Sequence, residues 1–133
     1  MYARLIDRYV RRVYTHFNAG DAEPAIRRFA QQSSLIFRGD SRLAADLYTK
    51  PEIARWLRDL MQEGLRWEIH DIVVAGPPWN TRFVTCFTVS TLRRPDGSQP
   101  AYRGVQYARL RWGRVQLDDI LPDTQAVASC FAA

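Results

Sequence analysis

The order of the apolar periodicities constrains this chain most: helical spacing comes first, and four strand-like runs fill the C-terminal half. Ile6, Val10, Val13 and Phe17 share one helical face, while Arg4, Asp7, Arg8, Arg11 and Arg12 fall largely off it. Asn18 to Asp21 then punctuates the chain. Gly20 suits the left-handed position past a helix end, Asp21 offers a carboxylate to the free amides of a second helix, and Pro24 fits that helix's first turn. Ala25, Ile26 and Phe29 give the second helix an apolar side, and Gln31 to Ser34 break it.

Leu35, Ile36 and Phe37 predict a brief strand, followed by Gly39, Asp40 and a loop through Tyr48. Thr49 and Glu52 have capping-box spacing, Pro51 falls in the first turn, and Ile53, Trp56, Leu57 and Leu60 line one face of a third helix that Gly64 ends. Four strands are expected over Trp67 to Val74, Arg82 to Leu92, Tyr102 to Trp112 and Val115 to Leu121, the last two joined by a tight hairpin around Trp112 to Arg114. Helices first and a meander afterwards predict an α+β fold. Three N-terminal helices would pack on one face of a strongly curved, mainly antiparallel sheet and leave a conical, largely apolar pocket.

A chain of 133 residues, 47% of them hydrophobic, can build one substantial core, so a single domain over 1–133 is expected. No apolar run approaches the roughly 18 residues of a membrane span, and the N-terminus alternates apolar and basic residues. The expectation is a soluble, cytoplasmic protein without a membrane partner. The formal charge of +5 raises nucleic-acid binding as a class. Yet Lys50 is the one lysine, and arginines such as Arg27, Arg28, Arg55, Arg58, Arg93 and Arg94 are interspersed with acids, with no long like-charge block and no nucleic-acid motif. That pattern reads as a solvated arginine-rich surface. Cys86 and Cys130 lie far apart and read as reduced thiols, and His16 and His70 have no ligand-spaced partner, so neither a disulfide nor a metal is expected.

The order of elements resembles the nuclear transport factor 2-like superfamily, and within it the SnoaL-like and ketosteroid-isomerase-like proteins. The resemblance covers nearly the whole chain. It is carried by the helix break Phe17-Asn18-Ala19-Gly20-Asp21, the segment Phe29 to Phe37, the loop Leu43 to Tyr48 leading into Pro51-Glu52-Ile53, the hairpin Arg111-Trp112-Gly113-Arg114-Val115, and the ending Leu121-Pro122-Asp123-Thr124. Ketosteroid isomerases use a tyrosine on the first helix and a protonated aspartic acid on a strand as an oxyanion hole, with another aspartate moving the proton. Tyr14 occupies a suitable place for the tyrosine. The shuttle position falls at or beside Phe37, however, and the strand acid falls near Gln106, so the resemblance does not imply ketosteroid isomerase activity.

SnoaL-like cyclases place an acid on the last strands. If strand alternation sets Gln116, Asp118 and Ile120 on the concave face, Asp118 points inward and Asp119 outward, whereas a one-residue slip exchanges the two. An aspartate in an apolar cone has its charged form disfavoured, which makes Asp118 the first candidate for acid/base catalysis, although pairing with Arg103 or Arg109 would make it structural. Tyr14 is a candidate hydrogen-bond donor to a substrate oxygen or a core-edge residue of an amphipathic helix. Asp40 is a candidate acid at the cone mouth or a turn former. Gln106 would help orient the substrate, with Phe37, Trp56, Phe87 and Ile120 lining the site. Two functions follow: a cofactor-independent enzyme isomerising, cyclising or hydrating a small apolar carbonyl or polyketide-like compound, or a non-catalytic ligand-binding or dimerisation module. The resemblance further implies a homodimer through the sheet's outer face, with Val115, Leu117 and Leu121 as apolar surface.

Overall fold

The apolar stripe of the N-terminal segment folds as α1, Tyr2–Asn18, in a computed structural model that describes residues 2–123. Cys130 and Thr124 lie outside the described residues. α1 buries Ile6, Val10, Val13 and Tyr14. It ends in a Schellman motif: Gly20, at φ +78°, donates to the Phe17 carbonyl and Asp21 to the His16 carbonyl, both at 2.9 Å. The Asp21 carboxylate then accepts from the Glu23 amide at 3.0 Å and leads into α2, Glu23–Arg28.

Asn18 does more than punctuate. Its Nδ2 donates to the Trp67 carbonyl at 2.9 Å and its Oδ1 accepts from the Trp67 amide at 2.7 Å, so one side chain serves as a rung beside the first long strand. Asn18→Ala leaves both backbone groups without that partner and should cost about 1–3 kcal/mol. Calorimetric melting should show the loss, with Asn18→Asp, which keeps only an acceptor, falling in between.

Phe29 belongs not to the second helix but to β1, Phe29–Phe37, and the expected break at Gln31 to Ser34 lies within this strand. The break signal marks a real irregularity. Against β6, Arg114–Pro122, the register runs from Phe29↔Val115 to Ser34↔Leu117, so β1 carries surplus residues that bulge, and the Ser33 hydroxyl donates to the Ala30 carbonyl at 2.7 Å. The segment expected as loop up to Tyr48 contains a further strand, β2, Ala45–Thr49, paired antiparallel to β1. It is an edge strand with alternately exposed residues, where a polar mixture is tolerated and the apolar signal is weak. α3, Lys50–Met61, begins at the expected capping box: Thr49 Oγ1 donates to Glu52 Oε1 at 2.7 Å and accepts from the Glu52 amide.

β3, Arg66–Ala75, β4, Thr81–Ser90, and β5, Ala101–Arg111, complete a six-stranded sheet in the order β2-β1-β6-β5-β4-β3. β1 and β6 are parallel and every other pairing is antiparallel. The β5–β6 turn has Trp112 at φ +52° and Gly113 at φ +76°, the two positive values of a type I′ hairpin. Bulges in several strands bend the sheet into a curved, unclosed surface, and the helices pack on its concave side around fully buried Leu35 and Ile53.

One bulge corrects the expected facing of β6. Leu110 pairs with Val115 while Arg109 pairs with Leu117, so Gln116 falls in the irregularity. Val115 is buried in the core, and simple alternation resumes at Asp118 and Ile120. Val115 is therefore unavailable as outer apolar surface; the exposed apolar residues of the sheet include Leu121 on β6, Val105 on β5 and Val73 on β3.

Candidate functional site

The concave face and the helices enclose a cavity of about 70 Å³. Its walls are aromatic: Tyr14 meets Phe17 edge-on at 5.5 Å between ring centroids, Phe17 lies 5.3 Å from Trp67, and Phe37 lies 5.5 Å from Trp56. The Trp56 indole is tied by its Nε1 donating to the Leu43 carbonyl at 3.1 Å. Phe87 opposes Gly104 across β4 and β5, and a Cβ on Gly104 would sit 2.8 Å from the Phe87 ring. That missing methyl gives the ring its place. Ile120 completes this part of the lining.

Three polar side chains enter this apolar space as one chain. Tyr14 Oη donates to Gln106 Oε1 at 2.6 Å, and Gln106 Nε2 donates to Asp118 Oδ1 at 2.9 Å. An ionised carboxylate only accepts, so the amide nitrogen faces Asp118 and the amide oxygen faces Tyr14. The sheet makes this contact possible. Gln106 opposes Ile120 and Asp118 opposes Ala108, which sets Gln106 and Asp118 diagonally on one face at a separation a long side chain spans. Asp119 points the other way and takes a bidentate bond from Arg38, at 3.0 and 2.8 Å.

Asp118 is 7% exposed and, among the described residues, makes no ion pair; neither Arg103 nor Arg109 reaches it. Its carboxyl is pushed up to about 7, chiefly by burial, with the Gln106 hydrogen bond opposing the rise and the charge of Asp119 adding to it. Burial likewise raises the Tyr14 phenol well above its ordinary value, with the Asp118 and Tyr102 charges adding to the rise. Thr85, opposite Gln106 on β4, is fully buried and its Oγ1 has no hydrogen-bond partner among the described residues. An orphan hydroxyl beside the polar chain was not anticipated from the sequence, although a threonine between Phe83 and Phe87 in an inward-facing row is an available signal.

The structure thus brings Tyr14, Gln106, Asp118, Phe37, Trp56, Phe87 and Ile120 to one cavity. Asp40 is not among its lining residues; it sits exposed in the bend after Gly39. Among the described residues no group of three or more histidines, cysteines and acids is placed to hold a metal ion, and no helix is long and apolar enough to cross a membrane. His16 pairs with Asp21 at 3.1 Å and His70 with Thr88 at 2.6 Å.

A family profile described as SnoaL-like domain matches residues 10–117, most of the chain. The chain belongs to the SnoaL-like family. This family lies within the nuclear transport factor 2-like superfamily, in agreement with the resemblance in the sequence. Among solved structures, Bal32a from a soil-derived mobile gene cassette superposes with a TM-score of 0.79 at 18% identity, covering 100% of both chains. A putative SnoaL-like polyketide cyclase from Jannaschia sp. CCS1 gives 0.76 at 14% identity, over 98% of this chain and 94% of that one. TerC co-crystallised with polyporic acid gives 0.76 at 15% identity, over 95% of this chain and 97% of that one. At these identities the likeness establishes the SnoaL-like fold and not an activity. A sequence search of curated proteins gives no significant match.

Proposed function

We propose that this SnoaL-like protein performs cofactor-independent acid/base chemistry on a small, largely apolar carbonyl compound held in the inner cavity. The observation that carries the reading is the Tyr14–Gln106–Asp118 chain, which ends at a buried carboxyl pushed up to about 7 in an aromatic enclosure. Asp118 Oδ2 makes no hydrogen bond among the described residues, so it is the oxygen available to a proton. In the step envisaged, Oδ2 takes the proton from the carbon next to the carbonyl. The C–H electron pair forms the enolate double bond, the carbonyl pair moves to oxygen, and the second Nε2 hydrogen of Gln106 holds that oxygen. Return of the proton to the far carbon of a conjugated enolate gives isomerisation; attack of the enolate carbon on a second carbonyl of the same molecule sends that carbonyl's π pair to its oxygen, which takes the proton back from Asp118, and gives cyclisation.

Tyr14 acts through Gln106 in this scheme, because its hydroxyl proton is already given to the amide oxygen. It is a positioning residue that orients the amide and strengthens its N–H as a donor. The cavity, at about 70 Å³, is roughly half the 150 Å³ apolar cavity known to take benzene. This favours a small carbonyl compound over a polycyclic polyketide. The same narrowness supports a second reading, in which the aromatic-lined cone holds a small ligand passively as a binding module.

Proton NMR in deuterium oxide at pH 8 separates the two. With a panel of small cyclic ketones and enones, catalysis predicts loss of the α-proton signal faster than in buffer, with a drop of about 10²-fold or more in Asp118→Asn. The rate in the parent should rise with pH through about 7, as Asp118 becomes the base. Saturable thermal stabilisation by a ketone without α-proton exchange would sink the enzymatic reading and leave the passive one.

A further inference from the structure

Four arginines that are scattered in the sequence converge on one groove. Arg12 on α1, Arg27 and Arg28 at the end of α2, and Arg114 at the start of β6 line it together with His16, Pro24 and Tyr9. All four are exposed and, among the described residues, none of them is in an ion pair. Two acids lie nearby: Glu23 is held bidentately by Arg58 of α3 at 3.0 and 2.9 Å, and Asp21 pairs with His16 at the groove wall, which leaves four guanidinium groups against these two carboxylates. Arg114 Nη1 donates to the Arg27 carbonyl at 3.0 Å, which fixes one guanidinium at the groove wall with its remaining donors unspent among the described residues. The Arg28 guanidinium lies 5.7 Å from the centre of the Tyr9 ring. Arg12, Arg28 and Tyr9 also line the adjoining depression with Arg8 and Trp112, so the basic surface is continuous.

Tyr9 ties this groove to the inner cavity, because its half-buried ring lines both. Its phenol is raised by burial, lowered by Arg28 and raised again by Asp118, so the hydroxyl senses the guanidinium outside and the carboxyl inside. A groove of unspent guanidinium donors suits an oxyanion.

We propose that the groove of Arg12, Arg27, Arg28 and Arg114 binds the phosphate or carboxylate of the same ligand whose apolar part enters the cavity past Tyr9. The substrate class is then an anionic amphiphile. The inference rests on the cavity being a small-molecule site, but not on Asp118 being catalytic.

Calorimetric titration at low salt with inorganic pyrophosphate tests the groove alone. One saturable site is expected, weakened by about tenfold or more in Arg28→Gln/Arg114→Gln. Arg93→Gln/Arg94→Gln, which removes the same charge from a distant loop, should leave it unchanged. Equal weakening in both double variants, or no binding by the parent, overturns the site. Methyl phosphate and hexyl phosphate test the connection. Hexyl phosphate should bind at least about tenfold more tightly, since each buried methylene adds several-fold. It should also shift the methyl NMR signals of the cavity residues Val10, Val13 and Leu57, which methyl phosphate leaves in place. Equal affinities with unmoved cavity methyls would overturn the proposal, because groove and cavity would be separate. Hexanoate in place of hexyl phosphate, if tighter, assigns the oxyanion as a carboxylate. α-Proton exchange by Asp118 reads the enzymatic proposal separately, so the two fail independently.

Discussion

Asp118→Asn should be more stable than the parent at pH 8 and no more stable at pH 4. The carboxyl is pushed up to about 7 in the folded protein, against an ordinary value near 3.8. Between these values the native state binds more protons than the unfolded chain, so the stability associated with protonated Asp118 is full below about pH 4 and is lost as pH rises to about 7. The difference of roughly three units at about 1.4 kcal/mol each sets a ceiling near 4 kcal/mol. Asparagine still accepts from Gln106 Nε2 but brings two N–H donors into the cavity, which subtracts about 1–2 kcal/mol. A net gain of about 2–3 kcal/mol at pH 8 corresponds to roughly 6–10 °C in a chain of this length. Glu63, whose carboxyl Arg42 holds below its ordinary range, weakens both proteins alike at the acid end and cancels in the comparison. Thermal unfolding of both proteins at pH 4, 6 and 8 measures the effect, and a difference that stays constant with pH would mean Asp118 does not titrate there. A side chain that costs its own fold stability when charged is what an acid/base site near neutral pH requires.

The helices were legible because their signals are local. Gly20, Asp21, Pro24 and the Thr49–Glu52 box act within one turn, and each does so in the structure. Strand detail was less legible, since bulges depend on the partner strand. Alternation assigned Gln116 and Asp118 to one face, yet the slip between Arg109 and Leu110 brings Val115 inward instead, and only the part of β6 beyond the slip follows simple alternation. β2 carries little signal in the sequence because an edge strand needs no apolar face of its own. Asp118, Tyr14 and Gln106 could be named from position and resemblance, but not their bonding, which joins residues 92 apart in sequence for Tyr14 and Gln106. Gly104 carried a readable signal, a glycine inside a strand marking a close approach, although its neighbour Phe87 became visible only in the register. The arginine groove was illegible for the same reason: its members lie on α1, α2 and β6 and meet only when the chain folds.

Gln106→Leu should destabilise the protein more than either neighbour's loss of a single bond, because Gln106 is the middle of the chain. Leucine is close in volume, so packing changes little, but two hydrogen bonds disappear and both partners stay buried. Leaving the Tyr14 hydroxyl and the Asp118 carboxyl unpaired should cost about 1–3 kcal/mol each, or roughly 2–6 kcal/mol together at pH 8. Tyr14→Phe orphans only the Gln106 amide oxygen and should cost about 1 kcal/mol. The pH dependence provides a second readout. Gln106 Nε2 favours the ionised form of Asp118, so its removal moves the carboxyl further up, above about 7. The fall of stability with pH should then continue beyond pH 7 in Gln106→Leu, where the parent has already levelled off. Gln106→Leu/Asp118→Asn should recover most of the loss at pH 8, since no buried charge remains to be satisfied. Melting curves of the parent, the three single variants and this double variant from pH 4 to 9 decide the point. A double variant no more stable at pH 8 than the sum of the two single-variant changes, the Asp118→Asn gain included, would mean that Gln106 and Asp118 act independently and that the chain is not an energetic unit.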